Sequence, residues 1–294
     1  MKTGPIAVVI NPKAGKRIPE KIRYHIIKHL DKLQVSYSVF KEIWPDNFDG
    51  FSNVWIIGGD GTLNYFLNKY RDIQIPLAIF KGGTGNDFAW KLYGDISLEE
   101  QLLLVLNNKA KQVDAGICNG KIFVNTIGIG FDGNILRSMR AVRLLGGHIG
   151  YFLVVLKQIF LFREHHFSIY AEGNLIRNEK LLLLEISNSS RTGGGFFISP
   201  YANITDGLLN LITCVPLSVI KRLFLLPKIE KGRHLHLTSI NSFTGKKFIV
   251  ECNKVLPAQC YGELMIADRF EISVLEKKFS FIFQDEIFHE RLLK

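Results

Sequence analysis

Two short segments combine several glycines with side chains that bind phosphates or metal ions, and each follows an apolar run. The first is VWIIGGDGTLN at residues 54–64, and the second is FKGGTGNDFAW at residues 80–90. Glycine lets a phosphate approach the backbone, and a following helix N-terminus supplies N–H groups and partial positive charge. The segments therefore predict a site for nucleotide phosphates and their metal ion, built from Gly58, Gly59, Asp60, Gly61, Thr62, Asn64, Gly83, Thr84, Asn86 and Asp87.

A third turn of small residues, NPKAGK at residues 11–16, ends the first apolar run of the chain. It adds Asn11, Pro12 and Gly15 to the predicted site. Three such turns are hard to explain as coincidence. A glycine-rich turn with Asp60 as a helix cap is nevertheless the alternative interpretation of the first segment.

The sequence disfavours two common types of nucleotide-binding site. The pattern G-x-x-x-x-G-K-[ST] does not occur, so the chain is not a P-loop NTPase. GIGFDG at residues 128–133 matches G-x-G-x-x-G, but no acidic residue follows about 20 positions later to bind a ribose. A Rossmann cofactor site is therefore not expected there.

The elements that position these turns alternate between strands and helices over residues 1–125. PIAVVIN, SYSVF, VWIIGG and IPLAIF are typical of strands, whereas PEKIRYHIIKHLDKL and TLNYFLNKY carry apolar residues at helical spacing. SLEEQLLLVLNN adds a helix with a capping box at Ser97 and Glu100. The alternation predicts an N-terminal α/β nucleotide-binding domain with a doubly wound parallel sheet, in which ligands bind beyond the carboxyl ends of strands.

The pattern changes after residue 125. Strand-like segments follow one another, interrupted by one long helical region at roughly residues 133–162. Successive strands separated by turns predict a β-rich, sandwich-like domain over residues 126–281. The tail, residues 282–294, is expected to form a helix that packs back on the first domain. The strand-like segments are KIFVNTI, HFSIYAEG, KLLLLEIS, LLNLITCV, HLHLTSI, KKFIVEC and RFEISVL.

The composition indicates a folded protein with an anionic partner. The chain has 294 residues, of which 47% are hydrophobic, and a formal net charge of +10. That charge favours a phosphorylated ligand, nucleic acid or an anionic membrane surface. Nucleic acid is not expected, because the sequence carries no recognition motif for it.

The cysteines and the apolar segments bear on the cellular compartment. Cys118, Cys214, Cys252 and Cys260 form no C-x-x-C pair and are expected to be reduced thiols of a cytoplasmic protein. The N-terminus lacks the apolar region of a signal peptide. No run reaches the roughly 18 apolar residues of a membrane span, so any membrane contact is expected to be peripheral.

A basic stripe is predicted on the long helical region, where Arg137, Arg140 and Arg143 recur at every third residue. A solvated helix face is the alternative. Because GYFLVVL follows closely, a basic and apolar surface that contacts anionic lipid is also expected. His234 and His236 are two residues apart in a strand-like segment, but no third ligand lies nearby, so an exposed strand face is favoured over a metal site.

The combination N-P-x-x-G, GGDGT-x-N, GT-x-ND-F-A and G-I-G-F-D resembles the diacylglycerol kinase catalytic family. This family includes bacterial soluble lipid kinases, eukaryotic diacylglycerol kinases and, more distantly, sphingosine and ceramide kinases. The resemblance covers most of the chain in order, whereas NAD kinases and phosphofructokinases share only GGDG. It implies a kinase that uses ATP and Mg²⁺ to phosphorylate a lipid hydroxyl at a membrane surface, with a diacylglycerol-like acceptor. The resemblance does not determine which lipid is phosphorylated. It also leaves open whether the protein forms a homodimer.

The resemblance also assigns residues. Asn11 to Gly15, Gly59 to Tyr65 and Thr84 match ATP-contacting loops, although Tyr65 stands where an acid is common. Asp206 matches a structural magnesium site, where backbone oxygens near Asn203 and Leu208 would join its carboxylate. A hairpin turn is the alternative interpretation of TDGLL around Asp206.

One departure from the family pattern concerns the proton acceptor. The family has Asp-Gly-Glu late in its second domain, and its aspartate receives the proton of the lipid hydroxyl; this chain has Tyr261, Gly262 and Glu263. A phenol with a pKa near ~10 is a poor base at neutral pH. Glu263 could serve instead, the enzyme could work slowly, or the protein could be a pseudokinase that binds nucleotide or lipid without phosphoryl transfer. Phosphorylation of a soluble molecule such as NAD is disfavoured by GTGNDFA.

Overall fold

A computed structural model of the chain describes residues 4–11, 18–141 and 148–284. Within these ranges it describes all side chains except those of residues 140, 141 and 148–152. The chain divides into two compact units, Met1–Val113 with Lys277–Lys294, and Asp114–Glu276. The sequence pattern predicted boundaries at residues 125 and 281. The boundaries between the units instead lie within two strands, Ala110–Cys118 and Glu263–Ile282, which a change of pattern along the sequence does not mark.

The first unit is a parallel sheet with helices between its strands. The strand order is β2-β1-β3-β4, every pair is parallel, and Leu77 of β4 also pairs in parallel with Phe281 of β14. This confirms the predicted α/β architecture. The elements are β1 (Ile6–Ile10), α1 (Ile18–Lys32), β2 (Tyr37–Phe40), β3 (Asn53–Gly58), α2 (Asp60–Lys69), β4 (Leu77–Lys81), α3 (Asp87–Tyr93), α4 (Leu98–Asn107) and β5 (Ala110–Cys118).

Local sequence explains these elements. Every residue of β1 is buried, as expected for a central parallel strand whose two faces are both covered. Helix α4 begins with the predicted capping box, in which the Ser97 side chain accepts from the Glu100 N–H and the Glu100 carboxylate accepts from the Ser97 N–H. The predicted C-terminal helix does not begin at residue 282, which ends β14, and residues 285–294 lie outside the described residues.

The second unit is mainly antiparallel. Its strand order is β12-β11-β10-β7-β13-β14, with β8 between β13 and β9, and β6 paired with β5. This confirms a β-rich second part of the chain. Its elements are β6 (Lys121–Phe123), β7 (Thr126–Ile129), α5 (Phe131–Ala141), α6 (His148–Leu161), β8 (His165–Ala171), β9 (Asn174–Leu181), β10 (Leu183–Ser187), β11 (Leu209–Cys214), α7 (Val219–Glu230), β12 (Ile240–Gly245), β13 (Lys247–Cys260) and β14 (Glu263–Ile282).

One strand-like segment of the sequence is not a strand. HLHLTSI was expected to be a strand, but β12 begins only at Ile240 and the preceding residues form turns. The expectation that His234 lies on an exposed strand face was wrong. His234 is fully buried, and its Nε2 lies 3.0 Å from the carbonyl oxygen of Ile198. Burial lowers the pKa of this imidazole.

Helices α5, α6 and α7 of the second unit pack in sequence, α5 against α6 and α6 against α7, and α5 also packs against β13. Arg222 of α7 is 8% exposed and donates to the carbonyl oxygens of Ile159 and Phe162 at the end of α6, at 3.0 and 2.9 Å. It also forms an ion pair with Glu164. These bonds satisfy carbonyls that a helix C-terminus leaves without an intrahelical partner. Among the helices in the described ranges, none has the length and apolar content that a membrane crossing requires.

Candidate functional site

The two glycine segments of the first unit meet at the carboxyl ends of β3 and β4. A Cβ added to Gly59 would lie 2.8 Å from the Cα of Gly83, so the two backbones touch where side chains would otherwise stand. The Gly82 N–H donates to the Gly58 carbonyl oxygen at 2.8 Å. The contact leaves a surface of bare backbone beside the N-terminus of α2, which is the chemistry predicted for a phosphate site.

Asp60 connects this surface to the next helix. Its two carboxylate oxygens accept from the N–H groups of Asp87 and Phe88 in the first turn of α3, at 3.0 and 3.1 Å. Asp60 therefore caps α3, not α2, which it begins. Asn86 has a positive φ of 52° and closes its own loop, because its amide accepts from the Gly83 N–H at 2.9 Å and donates to the Gly83 carbonyl at 2.8 Å.

The end of β1 joins the same surface through Asn11. Its side-chain amide donates to Thr62 Oγ1 at 3.0 Å, and both residues line a cavity of about 440 Å³. The cavity is also lined by Tyr65 and by four residues that the sequence analysis did not single out, Lys41, Glu42, Trp44 and Lys69. The rings of Trp44 and Tyr65 lie 5.5 Å apart. The cavity thus combines aromatic groups, two lysines and one acid, Glu42, and Lys41 is also paired with Glu20 at 2.9 Å. The aromatic and cationic groups suit a nucleotide base and its phosphates.

The remaining predicted residues of this unit are placed as follows. Asn64 is 3% exposed, and its side-chain oxygen accepts a hydrogen bond from the side chain of Asn68, one turn later in the same helix α2. Thr84 and Gly61 are exposed, and Asp87 is buried. Pro12 and Gly15 lie outside the described residues.

The predicted magnesium ligands of the second unit lie in a tight turn before β11. Asp206 Oδ1 accepts from the Leu208 N–H at 3.0 Å, and Asn203 Oδ1 accepts from the Thr205 N–H at 3.1 Å. The buried carboxylate of Asp114 accepts from the Gly207 N–H at 2.7 Å. Within the described ranges, no three His, Cys, Asp or Glu side chains form a metal cluster. A carboxylate with backbone oxygens still has the donor chemistry that a hard cation prefers.

Tyr261 and Gly262 form the turn between β13 and β14. Cys260 pairs with Glu263, so the turn has two residues, and both have positive φ, 46° and 86°. This is the geometry of a type I′ turn, in which aspartate or asparagine before glycine is favoured and a bulky residue is strained. Tyr261 is 2% exposed, whereas Glu263 is exposed. The turn therefore keeps the form expected for Asp-Gly although a tyrosine occupies it.

A pair of acidic side chains that the sequence analysis did not select lies near this turn. The side chain of Asp132 lies against Gly128, which pairs with Glu185 in the sheet, and Thr126 Oγ1 donates to Glu185 Oε2 at 3.0 Å. Burial, then the charge of Asp132, raises the pKa of Glu185 well above its usual range, and burial raises the pKa of Asp132. The one available signal was a single acid inside the apolar strand LLLLEIS.

Asp132 and Glu185 both line an apolar cavity. This cavity has a volume of about 130 Å³ and is lined mainly by apolar side chains of α5, α6, α7 and β10. A smaller cavity of about 50 Å³ shares Phe131, Leu183, Leu226 and Ile229 with it. The second unit thus contains a mainly apolar cavity that two acidic side chains also line, which suits an amphiphilic molecule.

Comparison with known protein families finds one match in the first part of the chain and a second match in the remainder. The family described as "Diacylglycerol kinase catalytic domain" matches residues 5–118, and "YegS C-terminal NAD kinase beta sandwich-like domain" matches residues 125–277. A diacylglycerol kinase of Mycobacterium tuberculosis is 30% identical over 267 residues, which cover 85% of each chain. The chain belongs to the diacylglycerol kinase family.

Solved structures show the same fold. A diacylglycerol kinase from Bacillus anthracis superposes with a TM-score of 0.74 at 21% identity, covering 97% of this chain and 98% of that one. Yeast NADH kinase, solved with NADH, superposes with a TM-score of 0.58 at 9% identity, covering 99% and 86%. Both likenesses concern the fold alone. They confirm the α/β and sandwich-like architecture that this diacylglycerol kinase family member shares with them.

The basic stripe predicted for this family member lies only partly in the described structure. Arg137 is exposed on α5 and donates to the side chain of Asn134, at 2.8 Å. The side chain of Arg140 and the whole of Arg143 lie outside the described residues. All four cysteines are described and are free thiols.

Proposed function

We propose that this protein is an ATP- and Mg²⁺-dependent lipid kinase that transfers a γ-phosphoryl group to the hydroxyl of a diacylglycerol-like lipid. The observation that carries the proposal is the backbone contact of Gly59 with Gly83 beside the Asn11–Thr62 hydrogen bond. Bare backbone and a helix N-terminus at the ends of parallel strands support binding of nucleotide phosphates. Membership of the diacylglycerol kinase family supports the same reaction.

The nucleotide half of the reaction is assigned to the first unit. Asn11, Thr62 and the glycine backbone would hold phosphates, while Trp44 and Tyr65 offer aromatic surface to the base. Lys41 and Lys69 add positive charge at the same cavity. Magnesium accompanying the nucleotide would neutralise charge on the transferred phosphoryl group.

A second, structural magnesium ion is proposed at Asp206, with backbone oxygens of Asn203 and Leu208. The donor set suits Mg²⁺, and the same turn is fixed by the Asp114–Gly207 hydrogen bond. This ion would stabilise the turn before β11 and would take no part in the chemistry.

Glu263 is proposed as the acceptor of the proton from the lipid hydroxyl. Tyr261 is buried in a two-residue turn, which holds the phenol in place, and a phenol is a weak base at neutral pH. Glu263 is the carboxylate that directly follows this turn. A pseudokinase that binds nucleotide or lipid without transferring phosphate is the second candidate, and the buried tyrosine is the observation that favours it.

Peripheral contact with a membrane is part of the proposal. The exposed residues among the described side chains of α6 lie on one helix face, and they are Leu153, Lys157, Phe160 and Leu161. The exposed residues of α7 also lie on one face, and they are Ile220, Lys221, Leu223, Phe224, Pro227, Lys228 and Glu230. Apolar and lysine side chains on one helix face suit an anionic lipid surface. A cytoplasmic location and a homodimer remain predictions.

The test is phosphoryl transfer from labelled ATP with Mg²⁺ to lipids in mixed micelles. Wild type is compared with Glu263→Gln, Tyr261→Asp and Asp268→Asn, the last a matched control with an exposed carboxylate on the same strand. If Glu263 accepts the proton, Glu263→Gln lowers kcat by roughly 10²–10⁴-fold and Asp268→Asn leaves it unchanged.

The other outcomes separate the two candidates. A silent wild type with an active Tyr261→Asp variant would mean that the fold is intact and that phosphoryl transfer has been lost. Equal activity of wild type and Glu263→Gln would remove Glu263 from its assigned role. If no lipid accepts phosphate from any variant, the kinase proposal fails.

A further inference from the structure

A row of basic side chains follows one face of helix α1. Its members are spaced three and four residues apart, which places them above one another on the helix surface, and they are His25, Lys28, His29 and Lys32. All four line a cavity of about 480 Å³ between α1 and helix α4 of the same unit. The other lining residues belong to the start of α4, and they are Ser97, Leu98, Glu99 and Leu102.

Within the part of the chain that the structure describes, none of the four side chains of this basic row forms an ion pair. His29 Nε2 is buried and has no hydrogen-bond partner among the described residues. Other basic side chains of the same unit are compensated, because Arg23 and Lys41 both pair with Glu20, at 2.8 and 2.9 Å. The basic row is therefore a concentration of positive charge that the surrounding side chains do not neutralise.

The C-terminal end of α1 explains only half of the basic row. His29 and Lys32 lie in the last turn of the helix, where cations offset the partial negative charge of the carbonyl groups. His25 and Lys28 lie before that turn, so the helix dipole does not account for them. A solvated helix face also lacks a second wall, whereas this row and α4 line one cavity.

The side chains of this cavity suit an anion. Ammonium and imidazole groups offer several N–H donors, and a cleft lined by charges of one sign concentrates ions of the opposite sign. A metal ion is disfavoured, because the lysines repel it and no three His, Cys, Asp or Glu side chains in the described ranges are arranged to hold one. A phosphate group can accept from several of these donors at once. Among the described lining residues Glu99 is the one acid, and its charge would weaken such binding.

We propose that this cavity binds a phosphate group. The group accepts from the ammonium groups of Lys28 and Lys32 and from the two imidazoles of the basic row. The site shares no lining residue with the cavity assigned to the nucleotide, and the inference does not depend on lipid kinase activity. A soluble phosphate ester and a phospholipid headgroup carry the same chemical group, and the experiments below distinguish these two sources.

Phosphate titration of the full chain, followed by NMR of isotope-labelled histidine side chains, tests the site directly. The imidazole signals are assigned with His25→Gln and His29→Gln. Both signals are expected to shift and then saturate as inorganic phosphate is added at constant pH and ionic strength, while the signal of the exposed His236 in the second unit stays in place. Because the signals are local, phosphate bound in the nucleotide cavity does not imitate this result. Unchanged signals of His25 and His29 overturn the inference.

Substitutions with opposite expected effects test the role of charge. Lys28→Gln/Lys32→Gln should weaken phosphate binding roughly tenfold or more, whereas Glu99→Gln should strengthen it about two- to fivefold. The matched control is Lys21→Gln/Lys109→Gln, which removes the same charge from exposed positions that do not line the cavity, and it should change the affinity by less than about twofold. Thermal unfolding shows that each variant is folded. An equal loss of affinity in the control overturns the inference, because net charge alone would then explain the binding.

Vesicles distinguish the two sources of the phosphate group. Wild type and Lys28→Gln/Lys32→Gln are sedimented with vesicles of phosphatidylcholine, with and without phosphatidate. Loss of the phosphatidate-dependent sedimentation in the variant assigns the site to a phospholipid headgroup. Equal sedimentation of the two proteins, together with histidine shifts by inorganic phosphate, assigns it to a soluble phosphate ester. If the vesicles do not distinguish the variant and inorganic phosphate shifts neither histidine, the cavity is a solvated groove and the inference fails.

Discussion

Gly61 and Gly173 differ in whether the fold itself requires a glycine. Gly61 is exposed in the first turn of α2, its φ is not positive, and no atom lies within 4 Å of an added Cβ. Gly173, in the turn between β8 and β9, is also unobstructed but has a φ of 83°. The fold therefore requires glycine at 173 and not at 61, and close approach of a ligand would explain the glycine at 61.

Gly61→Ala separates a phosphate loop from an ordinary turn. We expect it to raise the free energy of unfolding by up to about 1 kcal/mol, since alanine favours the helix, and to weaken ATP binding at least tenfold. Gly173→Ala is the control. We expect it to lower the free energy of unfolding by about 1–2 kcal/mol and to leave the ATP affinity unchanged. Thermal unfolding and ATP titration measure both effects, and normal ATP binding by Gly61→Ala would contradict the assignment.

The sequence predicted that the glycine segments lie at the ends of strands, but not every contact that their side chains make. The carboxylate of Asp60 was expected to bind phosphates or to cap a helix, and the helix that it caps is α3 and not α2, which it begins. That contact depends on how two loops 27 residues apart meet, which local spacing does not determine. Asp132 and Glu185 were missed for the same reason, because the contact between them exists only once Gly128 and Glu185 pair across two strands.

At the scale of elements, helix α3 depends on a side chain from another segment. Asp60 satisfies two of the N–H groups that the first turn of α3 leaves without intrahelical partners. Helix α3 also packs the buried side chains of Phe88 and Leu92 into the first unit. Loss of the cap would therefore disturb the core as well as the loop.

We expect Asp60→Ala to lower the free energy of unfolding by about 1–2 kcal/mol, whereas Asp60→Asn, which keeps one acceptor, should lose less than half of that. Urea unfolding measures the difference. If Asp60 also binds the nucleotide phosphates or their metal ion, Asp60→Asn should lose activity although it remains stable. This result would distinguish a role of Asp60 in the reaction from its role in folding. Equal stability of Asp60→Ala and wild type would show that the cap contributes nothing.

The contact between α6 and α7 depends on Arg222, whose helix the sequence analysis missed because Pro227 lies within it. Proline is expected to break a helix interior. The carbonyls of Ile159 and Phe162 bind a planar guanidinium, which lysine cannot replace.

Arg222→Lys is expected to cost about 2–4 kcal/mol, because buried carbonyls and Glu164 lose their donors. Glu164→Gln should cost less, since the amide can still accept from the arginine. Urea unfolding measures the free energy of unfolding of both variants. A larger decrease for Glu164→Gln than for Arg222→Lys would contradict the expectation that the contacts of Arg222 with the carbonyls matter most.

At the scale of the whole molecule, buried ionisable groups set the pH range of stability. The raised pKa values of Asp132 and Glu185 mean that the folded state holds more protons than the unfolded state above the usual carboxyl pKa of about 4.3. Their contribution therefore falls as the pH rises towards the raised values. The lowered pKa of His234 acts in the opposite direction, and stability is lost as the pH falls below about 6.5.

Asp132→Asn/Glu185→Gln is expected to remove the loss of stability on the alkaline side and to keep the loss on the acid side. Urea unfolding at several pH values between 5 and 9 shows both limbs. Glu230→Gln/Asp268→Asn, which changes only exposed acids, should follow the wild-type curve. An unchanged alkaline limb in the first variant would mean that ionisation of this pair does not cause the loss of stability.

The order of the segments along the chain has a consequence for biosynthesis. The first unit includes Lys277–Ile282, whose Phe281 pairs with Leu77 and packs against Phe88, while Tyr93 donates to the Ile282 carbonyl at 3.0 Å. A ribosome synthesises residues 114–276 in between, which takes on the order of 10–30 s at 5–20 residues per second. During that interval β4 has an open edge that another nascent chain could pair with. Shortening this delay by circular permutation, so that Lys277–Ile282 precedes β1, should reduce aggregation during cell-free translation; unchanged aggregation would show that the open edge is harmless.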